Sequence, residues 1–299
     1  METPPHNSST TGAAAPATAA RPRRRWALPL AFAALASAAL FYAWAIEPDW
    51  VETTHHTVRA PQGVRLRAPL KIAHLSDLHT PGLGRREQRV LAILEAEKPD
   101  LIVITGDSLA RGAAYAETRE LLTRLRAPLG VFAVRGNWEN WIPPGNEREH
   151  YRLARVQILV NEGAAPREDV WLAGVDDPDS GSANINAALA GAPEGALRIA
   201  LFHSPGYFDT IADQVHFAFA GHTHGGQVRV PLLPPLWMPN GSGRFVAGWY
   251  EAQPGAASSA PTQQPAARLY VSRGVGTSIL PLRFNCRPEV ALITVTSGE

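Results

Sequence analysis

The sequence has little cysteine and almost no net charge, and both shortages exclude kinds of protein. Its 299 residues include a single cysteine, Cys286, which excludes an internal disulfide framework and a metal cluster held by thiolates. The formal net charge is +1, which argues against a broad basic surface for binding nucleic acid. We therefore expect no nucleic-acid partner, and we expect Cys286 to be buried and inert.

Large apolar side chains are almost missing from residues 1–20, which consist mostly of Ser, Thr, Ala and Pro. Such a segment cannot bury enough surface to offset the entropy that ordering it would cost. A cluster of arginines follows, at Arg21 and at 23–25. The sequence therefore predicts a disordered basic tail over residues 1–25.

Residues 26–46 contain no charged side chain, and as a helix they are long enough to cross the roughly 30 Å hydrocarbon core of a bilayer. Trp26 at one end and Trp44 and Trp50 at the other suit the two interfacial belts. A cleaved signal peptide is the alternative, but its apolar region is usually shorter, about 7 to 15 residues, and no small-residue cleavage site follows before Glu47. We predict a single-pass transmembrane helix over 26–46.

The arginine cluster sets the expected orientation of this helix. By the positive-inside rule the cluster stays in the cytoplasm, which places everything after Trp50 on the far side of the membrane. The paired arginines also resemble a twin-arginine export signal, although the residues after them match that pattern poorly. We predict a protein of the inner (cytoplasmic) membrane whose catalytic domain is extracytoplasmic, with the lipid bilayer as a partner.

After a mixed connector over 47–67, short apolar runs alternate with helical patterns such as the one at 85–98. Strands that alternate with helices indicate an α/β fold with a mostly parallel sheet, whose strands are buried on both faces. Residues 251–267 are rich in Ala, Ser, Pro and Gln, which predicts a flexible insertion. We therefore expect one domain over 68–296 that contains this insertion.

Five of the apolar runs end in side chains that can bind a metal ion. Each position alone has an ordinary explanation, because Asp and Asn are favoured at turns and a lone histidine after a strand is more often structural. Ligands bind at the carboxyl ends of parallel strands, however, so five such ends in succession favour one joint site. Oxygen and nitrogen ligands without sulfur suit Mn, Fe or Zn, and their number is enough for two divalent ions. The candidates are Asp77, His79, Asp107, Asn137, His203, His222 and His224.

These residues lie in blocks that resemble those of the calcineurin-like metallophosphoesterases. The blocks are Asp-x-His at 77–79, Gly-Asp at 106–107, Gly-Asn at 136–137, His203, and Gly-His-x-His at 221–224. Their joint order is highly specific, and the resemblance covers about residues 68 to 296.

Two further segments, 272–277 and 283–286, are similar to those of membrane-anchored members of the family. That subgroup includes phosphodiesterases and hydrolases of UDP-2,3-diacylglucosamine, the lipid A precursor. The resemblance therefore implies a phosphate-ester substrate, with a lipid-linked one as the leading candidate.

The resemblance also implies a fold and a division of roles among the candidates. The fold is a four-layer sandwich of two mixed β-sheets flanked by helices. The activity is hydrolysis of a phosphodiester or diphosphate bond by hydroxide that bridges two metal ions, with Asp107, Asn137 and His203 as catalytic residues. One metal ion would be bound by Asp77, His79 and His224, and the other by Asn137, His203 and His222, with Asp107 between the two.

One position departs from the family pattern. The usual block reads Gly-Asn-His, and its histidine helps to stabilise the transition state or to protonate the leaving group, but this chain has Trp138 there. Tryptophan can donate a hydrogen bond but cannot deliver a proton. Either Glu139 or His150 replaces the acid, or the leaving group needs none. A phosphate, whose second pKa is about 6, leaves unaided far better than an alkoxide, so Trp138 favours a diphosphate linkage over an alkyl phosphodiester.

Residues 232–238 carry large apolar side chains among prolines, and two interpretations fit them. They form an apolar rim beside the site, which would favour an acylated substrate, or they form a loop packed on its own domain. Two other functions also remain open: a nuclease or general phosphatase on the same fold, and a catalytically silent, membrane-anchored scaffold. We interpret His74 as a core residue, and we leave Asp176 and Asp177 open between a turn and an approach to the metals.

Overall fold

The computed structural model describes residues 1, 12, 26–110, 115–142, 146–253 and 266–298. The predicted tail, apart from two isolated positions, and most of the predicted insertion lie outside these residues. The predicted boundaries of tail, span, connector and domain stay predictions.

The first element is an apolar helix, α1 (Ala27–Ala45), in which Ala43 is the one buried residue. The stretch Ala27–Asp49 is long and apolar enough to cross a membrane, and it is the one such stretch among the described residues. The helix expected over 26–46 is therefore present.

The remaining elements include two six-stranded mixed sheets. In spatial order, the first sheet consists of β1 (Glu52–Arg59), β12 (Glu289–Thr296), β2 (Leu70–Leu75), β3 (Leu101–Thr105), β4 (Val131–Val134) and β5 (Gln157–Ile158). The second consists of β10 (Gly248–Glu251), β11 (Arg268–Val271), β9 (Phe217–Ala220), β8 (Leu197–Leu201), β7 (Val170–Gly174) and β6 (Glu162–Arg167). Strands β2 to β5 run parallel, as do β7, β8, β9 and β11.

Helices cover the outer faces of both sheets. The helices that follow α1 in the described residues are α2 (Arg85–Glu97), α3 (Tyr115–Leu122), α4 (Asn137–Trp141), α5 (Glu147–Leu153), α6 (Ile185–Leu189) and α7 (Phe208–Ile211). One buried core joins the facing sides of the two sheets, a second joins the first sheet to α2, α3 and α5, and a third joins the second sheet to α6 and α7. This is the predicted four-layer α/β sandwich, and the fold prediction is confirmed.

The central strands form as expected because they are short apolar runs that are covered on both faces. All residues of β3, β4 and β9 are buried, which is the pattern of parallel strands covered on both sides. The predicted connector, 47–67, contains β1, which pairs in parallel with β12 along its whole length. This segment therefore contributes the edge strand of the first sheet.

Candidate metal centre

Each candidate ligand follows the carboxyl end of a strand, as the sequence predicts, and most have an unusual backbone conformation. Five of them have a positive φ, between 40° and 71°, which side chains other than glycine rarely adopt. Such strain persists only where the surrounding structure enforces it, and it clusters at functional sites. These residues are Asp77, His79, Asp107, His222 and His224.

The first group of candidate ligands converges from β2 and β9. The Nε2 atom of His224 lies 3.2 Å from Oδ1 of Asp77 and 3.2 Å from Nε2 of His79. The two imidazole rings stack, with centroids 5.1 Å apart. Ligand atoms of all three residues lie within 4.8 Å of one another, which is close enough to hold one ion.

Asp107 lies between this group and His203. Its Oδ2 atom is 3.5 Å from Nε2 of His79 and 3.2 Å from Nε2 of His203. Ligand atoms of Asp77, Asp107 and His203 also lie within 4.8 Å of one another. The carboxylate of Asp107 thus faces both sides of the site, which is the placement expected of a bridging ligand.

Asn137 and His222 complete the cluster. Oδ1 of Asn137 lies 3.0 Å from Nδ1 of His222, and the ring of His222 lies 4.8 Å from that of His203. The other nitrogen of His222, Nε2, lies 2.5 Å from the carbonyl oxygen of Asn240, to which it donates. A neutral imidazole has only one proton to donate, so Nδ1 of His222 and Oδ1 of Asn137 face each other as two acceptors. A cation between them removes this conflict.

Backbone carbonyls orient two more histidines in the same way. Nδ1 of His79 donates to the carbonyl oxygen of Leu109 over 2.9 Å, and Nδ1 of His203 donates to that of Thr105 over 2.7 Å. Such outer contacts fix the tautomer of metal-binding histidines and leave the other nitrogen free for the metal. Nε2 of His203 is buried and faces the centre, 3.2 Å from Oδ2 of Asp107. The residues present therefore fit divalent metal ions.

The buried charges shift one another's pKa values. Burial opposes ionisation of Asp77, but the facing His224, His203 and His79 hold its pKa below the ordinary value. The pKa of Asp107 is lowered in the same way, with His203 as the main opposing influence to burial. Burial lowers the pKa of His79 to about 4. The cluster thus favours ionised carboxylates beside a neutral His79, as metal binding requires. Burial opposes protonation of His203, but Asp107 and Asp77 raise its pKa well above the ordinary value, so metal binding must displace its proton.

Glycines let the backbone approach closely at two of the blocks. A side chain at Gly221 would collide with Ser76 and with the carboxylate of Asp77, and one at Gly136 would collide with Asp107. The small residue before Asn137 and before His222 is therefore needed so that segments from different strands can share one centre.

Trp138 lies at the edge of the cluster. Its backbone N–H donates to Oδ1 of Asp107 over 2.9 Å, and its indole ring is 5.4 Å from the ring of His79 and 6.2 Å from that of Trp141. The residue that replaces the family's histidine is thus in the site, where its indole forms part of the wall.

Neither acid suggested by the sequence is placed to protonate a leaving group. The carboxylate of Glu139 is buried and accepts hydrogen bonds from the backbone N–H groups of Gly136, Asp107, Ser108 and Leu109. Burial raises its pKa to about 7. His150 stacks on Tyr115 and does not line the cavity above the cluster.

The cluster forms the floor of an open cavity of about 350 Å³ whose walls are mostly apolar. Part of the segment 232–238 lines it, which favours the rim interpretation over a loop packed on its own domain. Sequence reasoning missed wall residues such as Trp141 and Ile279, because an apolar side chain left exposed at a site carries no periodic signal. The apolar wall consists of Trp138, Trp141, Val228, Leu236, Trp237, Pro239, Ile279 and Leu280.

The segment 272–277 supports the floor from below. The backbone N–H of Gly276 donates to the carbonyl oxygen of Asp77 over 2.6 Å. The buried guanidinium of Arg283 donates to the carbonyl oxygens of Gly276, Arg273 and Gly274 in this segment. The sequence resemblance included both segments but gave no role for Arg283.

The remaining candidates have structural roles. His74 is fully buried and stacks on Phe219 of the facing sheet, so the core interpretation is confirmed. Asp177 accepts hydrogen bonds from Ser180 and Ser204, which is a turn that supports the neighbourhood of His203. Cys286 is buried, as expected.

A family model described as calcineurin-like phosphoesterase matches residues 70–226 of this chain. The chain is 29% identical over 302 residues to the uncharacterized metallophosphoesterase YkuE of Bacillus subtilis, a match that covers 92% of this chain and 98% of YkuE. It is 30% identical over 285 residues to the phosphodiesterase YaeI of Escherichia coli, a match that covers 91% of this chain and 98% of YaeI. It is also 26% identical over 253 residues to a transmembrane protein with metallophosphoesterase domain from Danio rerio, of which it spans 53%.

Proposed function

The chain belongs to the calcineurin-like phosphoesterase family and is a metal-dependent phosphoester hydrolase, and on that premise we propose that it uses two divalent ions to cleave a diphosphate bond in an acylated substrate. The observation that carries this proposal is the combination of a hydrophilic floor and an apolar wall in one cavity. The floor suits the phosphates, and the wall suits an acyl chain beside them.

The assignment of the ions follows the two halves of the cluster. Asp77, His79 and His224 would hold one ion, Asn137, His203 and His222 the other, and Asp107 would contact both. When bound, such ions supply Lewis acidity and an activated water for attack on phosphorus. Oxygen and nitrogen ligands are compatible with Mn, Fe or Zn.

The chain's own residues have three tasks in this mechanism. The carbonyl oxygens of Leu109, Thr105 and Asn240 hold the histidine rings in the orientation that leaves the inward nitrogens free. The backbone N–H of Trp138 fixes the carboxylate of Asp107. The apolar wall excludes water around the bound ester, which strengthens every charge interaction on the floor.

The lack of a proton donor supports a diphosphate as the bond that is cleaved. Among the described residues that line the cavity, the titratable ones are Asp107, His222 and His224, all of which are proposed ligands. No other acid is positioned to protonate a leaving alkoxide, whereas a phosphate leaves without one. An acylated nucleotide diphosphosugar such as UDP-2,3-diacylglucosamine meets both requirements.

We propose that α1 holds the enzyme in the inner membrane, with its domain outside the cytoplasm. The support is the length and apolar composition of Ala27–Asp49, together with the arginines that precede it in the sequence. A reporter fused after residue 298, active only outside the cytoplasm, is expected to be active. If a reporter that works only in the cytoplasm is active at the same position, the proposed orientation is wrong.

Substrate comparison tests the proposed reaction. The full-length protein in detergent, loaded with Mn, is assayed against UDP-2,3-diacylglucosamine, an alkyl phosphodiester and single-stranded DNA. We expect the first to have the highest kcat/KM, and we expect Asp107→Asn to abolish the activity. Faster turnover of the alkyl ester contradicts the diphosphate assignment, and faster turnover of DNA favours the nuclease alternative.

A further inference from the structure

We propose that the loops around the mouth of the cavity also contact the surface of the lipid bilayer. The contact would be made by an outer rim, defined as the exposed residues Val230, Leu232 and Leu233. The proposal concerns how the mouth is placed, and it holds or fails independently of which bond the enzyme cleaves.

The outer rim leaves large apolar side chains exposed. Leu232 is fully exposed, at 104%, and Leu233 is 53% exposed. Leu232 also has φ of 68°, a left-handed conformation that is strained for a bulky side chain. Ile279, at the mouth on a different loop, shares both features, with 68% exposure and φ of 63°. Two separate loops thus adopt strained conformations that leave large apolar side chains in solvent.

Substrate in the cavity does not account for these residues. The apolar wall, which includes Leu236, Trp237 and Ile279, lines the cavity, but the outer rim does not. An acyl chain on the apolar wall would leave Leu232 and Leu233 in water. Contiguous exposed apolar residues of this kind mark a surface that another partner covers.

The end of the apolar helix identifies that partner as the bilayer. The carbonyl oxygen of Ala43, in the last turn of α1, accepts a hydrogen bond from the backbone N–H of Arg283 over 2.9 Å, and the ring of Tyr42 lies 6.3 Å from that of Phe284. Phe284 in turn pairs with Val228, at the start of the loop that carries the outer rim. One residue thus links the membrane end of the helix to the mouth.

The charges of the mouth agree with a phospholipid surface. Over 138–142, 226–240 and 276–282 the one acidic residue is Glu139, and it is buried. Arg229 is the one basic residue of these segments. An apolar surface with no exposed carboxylate can approach anionic or zwitterionic headgroups without repulsion, and exposed tryptophans such as Trp141 and Trp237 suit the interface.

A fluorophore on the outer rim tests the contact in the full-length chain. The variant Leu232→Cys is labelled with an environment-sensitive dye and reconstituted at one copy per lipid nanodisc. The native Cys286 is only 3% exposed, and parallel labelling of the unsubstituted protein measures how much dye it takes up. The matched control is Glu168→Cys, on the exposed turn before the amino end of β7, away from the strand ends that form the site.

We expect the dye at position 232 to be blue-shifted, quenched by nitroxides on the acyl chains and protected several-fold from aqueous iodide, whereas the dye at 168 shows the reverse. The same result is expected in an Asp107→Asn background, because the contact does not need hydrolysis. Equal iodide quenching at both positions overturns the proposal. Protection that arises only in discs with two copies also overturns it, in favour of a contact between chains.

Discussion

At the scale of single residues, the site depends on which nitrogen of each histidine is free. His79 and His203 donate through Nδ1 to backbone carbonyls, so Nε2 faces the centre. His222 donates through Nε2 to Asn240, so Nδ1 faces the centre instead. His224 instead presents Nε2, which lies near Asp77 and His79. His222 and His224 are separated by one residue in the sequence, yet they present different nitrogens and can therefore serve different ions.

The proposed reaction assigns to Trp138 the choice of leaving groups that the enzyme tolerates. We expect Trp138→His to raise kcat/KM for an alkyl phosphodiester by about a hundredfold, because general acid catalysis typically contributes at least that much. Hydrolysis of a diphosphate should change little. Trp138→Phe, which adds no proton donor, is the control. Equal effects of the histidine and phenylalanine substitutions on the alkyl ester would disprove this role.

His74 makes the stability of the fold depend on pH. Burial lowers its pKa from 6.5 to about 4, so the unfolded chain binds a proton between these values that the folded chain does not. The free energy of unfolding therefore decreases as the pH falls from 6.5 toward 4, and the neutral His74 accounts for at most about 3 kcal/mol of this loss.

We expect His74→Gln to remove that pH-dependent component. Urea unfolding at pH 7 and at pH 4.5 measures it, and the difference between the two proteins cancels the other histidines. If the substitution leaves the pH dependence unchanged, His74 does not carry this effect.

At the scale of elements, the segment 272–277 connects the end of β11 to the floor of the site. Arg283 holds it by donating to backbone carbonyls, and its pKa is lowered to about 10 by burial. Breaking such a buried charged group's contacts is costly, because the carbonyls lose their donor and water cannot replace it.

We expect Arg283→Met to lower the free energy of unfolding by about 3 kcal/mol or more and to reduce metal binding. Arg152→Met, at an exposed arginine paired only with Glu149, should change it by less than about 0.5 kcal/mol. Urea unfolding of the three proteins makes the measurement. Comparable stability of both variants would show that Arg283 does not support the floor.

The apolar wall should discriminate between acylated and soluble substrates. We expect Leu236→Ser to raise KM for an acylated substrate in detergent by about tenfold, which corresponds to about 1.4 kcal/mol of lost apolar contact. A soluble chromogenic phosphodiester should be unaffected. The experiment uses detergent so that the outer rim and the bilayer play no part. Equal changes for both substrates would argue against a chain-binding wall.

At the scale of the whole molecule, the sequence predicted the features that follow from strand ends. Asp77, Asp107 and His203 are predictable from the sequence because each follows a short, mostly apolar run of strand length. Strand β1 was not placed in the sheet from the sequence, because Glu52–Arg59 is polar and half-exposed. The same applies to β6, none of whose residues is buried.

The apolar wall was only partly predictable. The segment 232–238 stood out among its prolines, but Trp141 and Ile279 come from distant parts of the chain and meet it only in the fold. The sequence does carry a signal for Glu139: a glutamate at the third position of a helix commonly accepts a hydrogen bond from the backbone N–H of the residue that precedes the helix, here Gly136. That spacing would have excluded it as the acid.

Family membership also bears on the alternative of a catalytically silent scaffold. The structure brings all seven candidate ligands together around Asp107, which a silent scaffold would not need. The central claim is that this cluster binds two ions and that hydrolysis depends on them.

Metal content and hydrolysis, measured on the same sample of full-length protein, test that claim most directly. We predict two divalent ions per chain, loss of hydrolysis when they are removed, and recovery when Mn is restored. Asp107→Asn should bind fewer ions and be at least about a hundredfold slower, because it removes the charge shared by both. Full activity with one ion per chain, or undiminished activity of Asp107→Asn, would contradict the account.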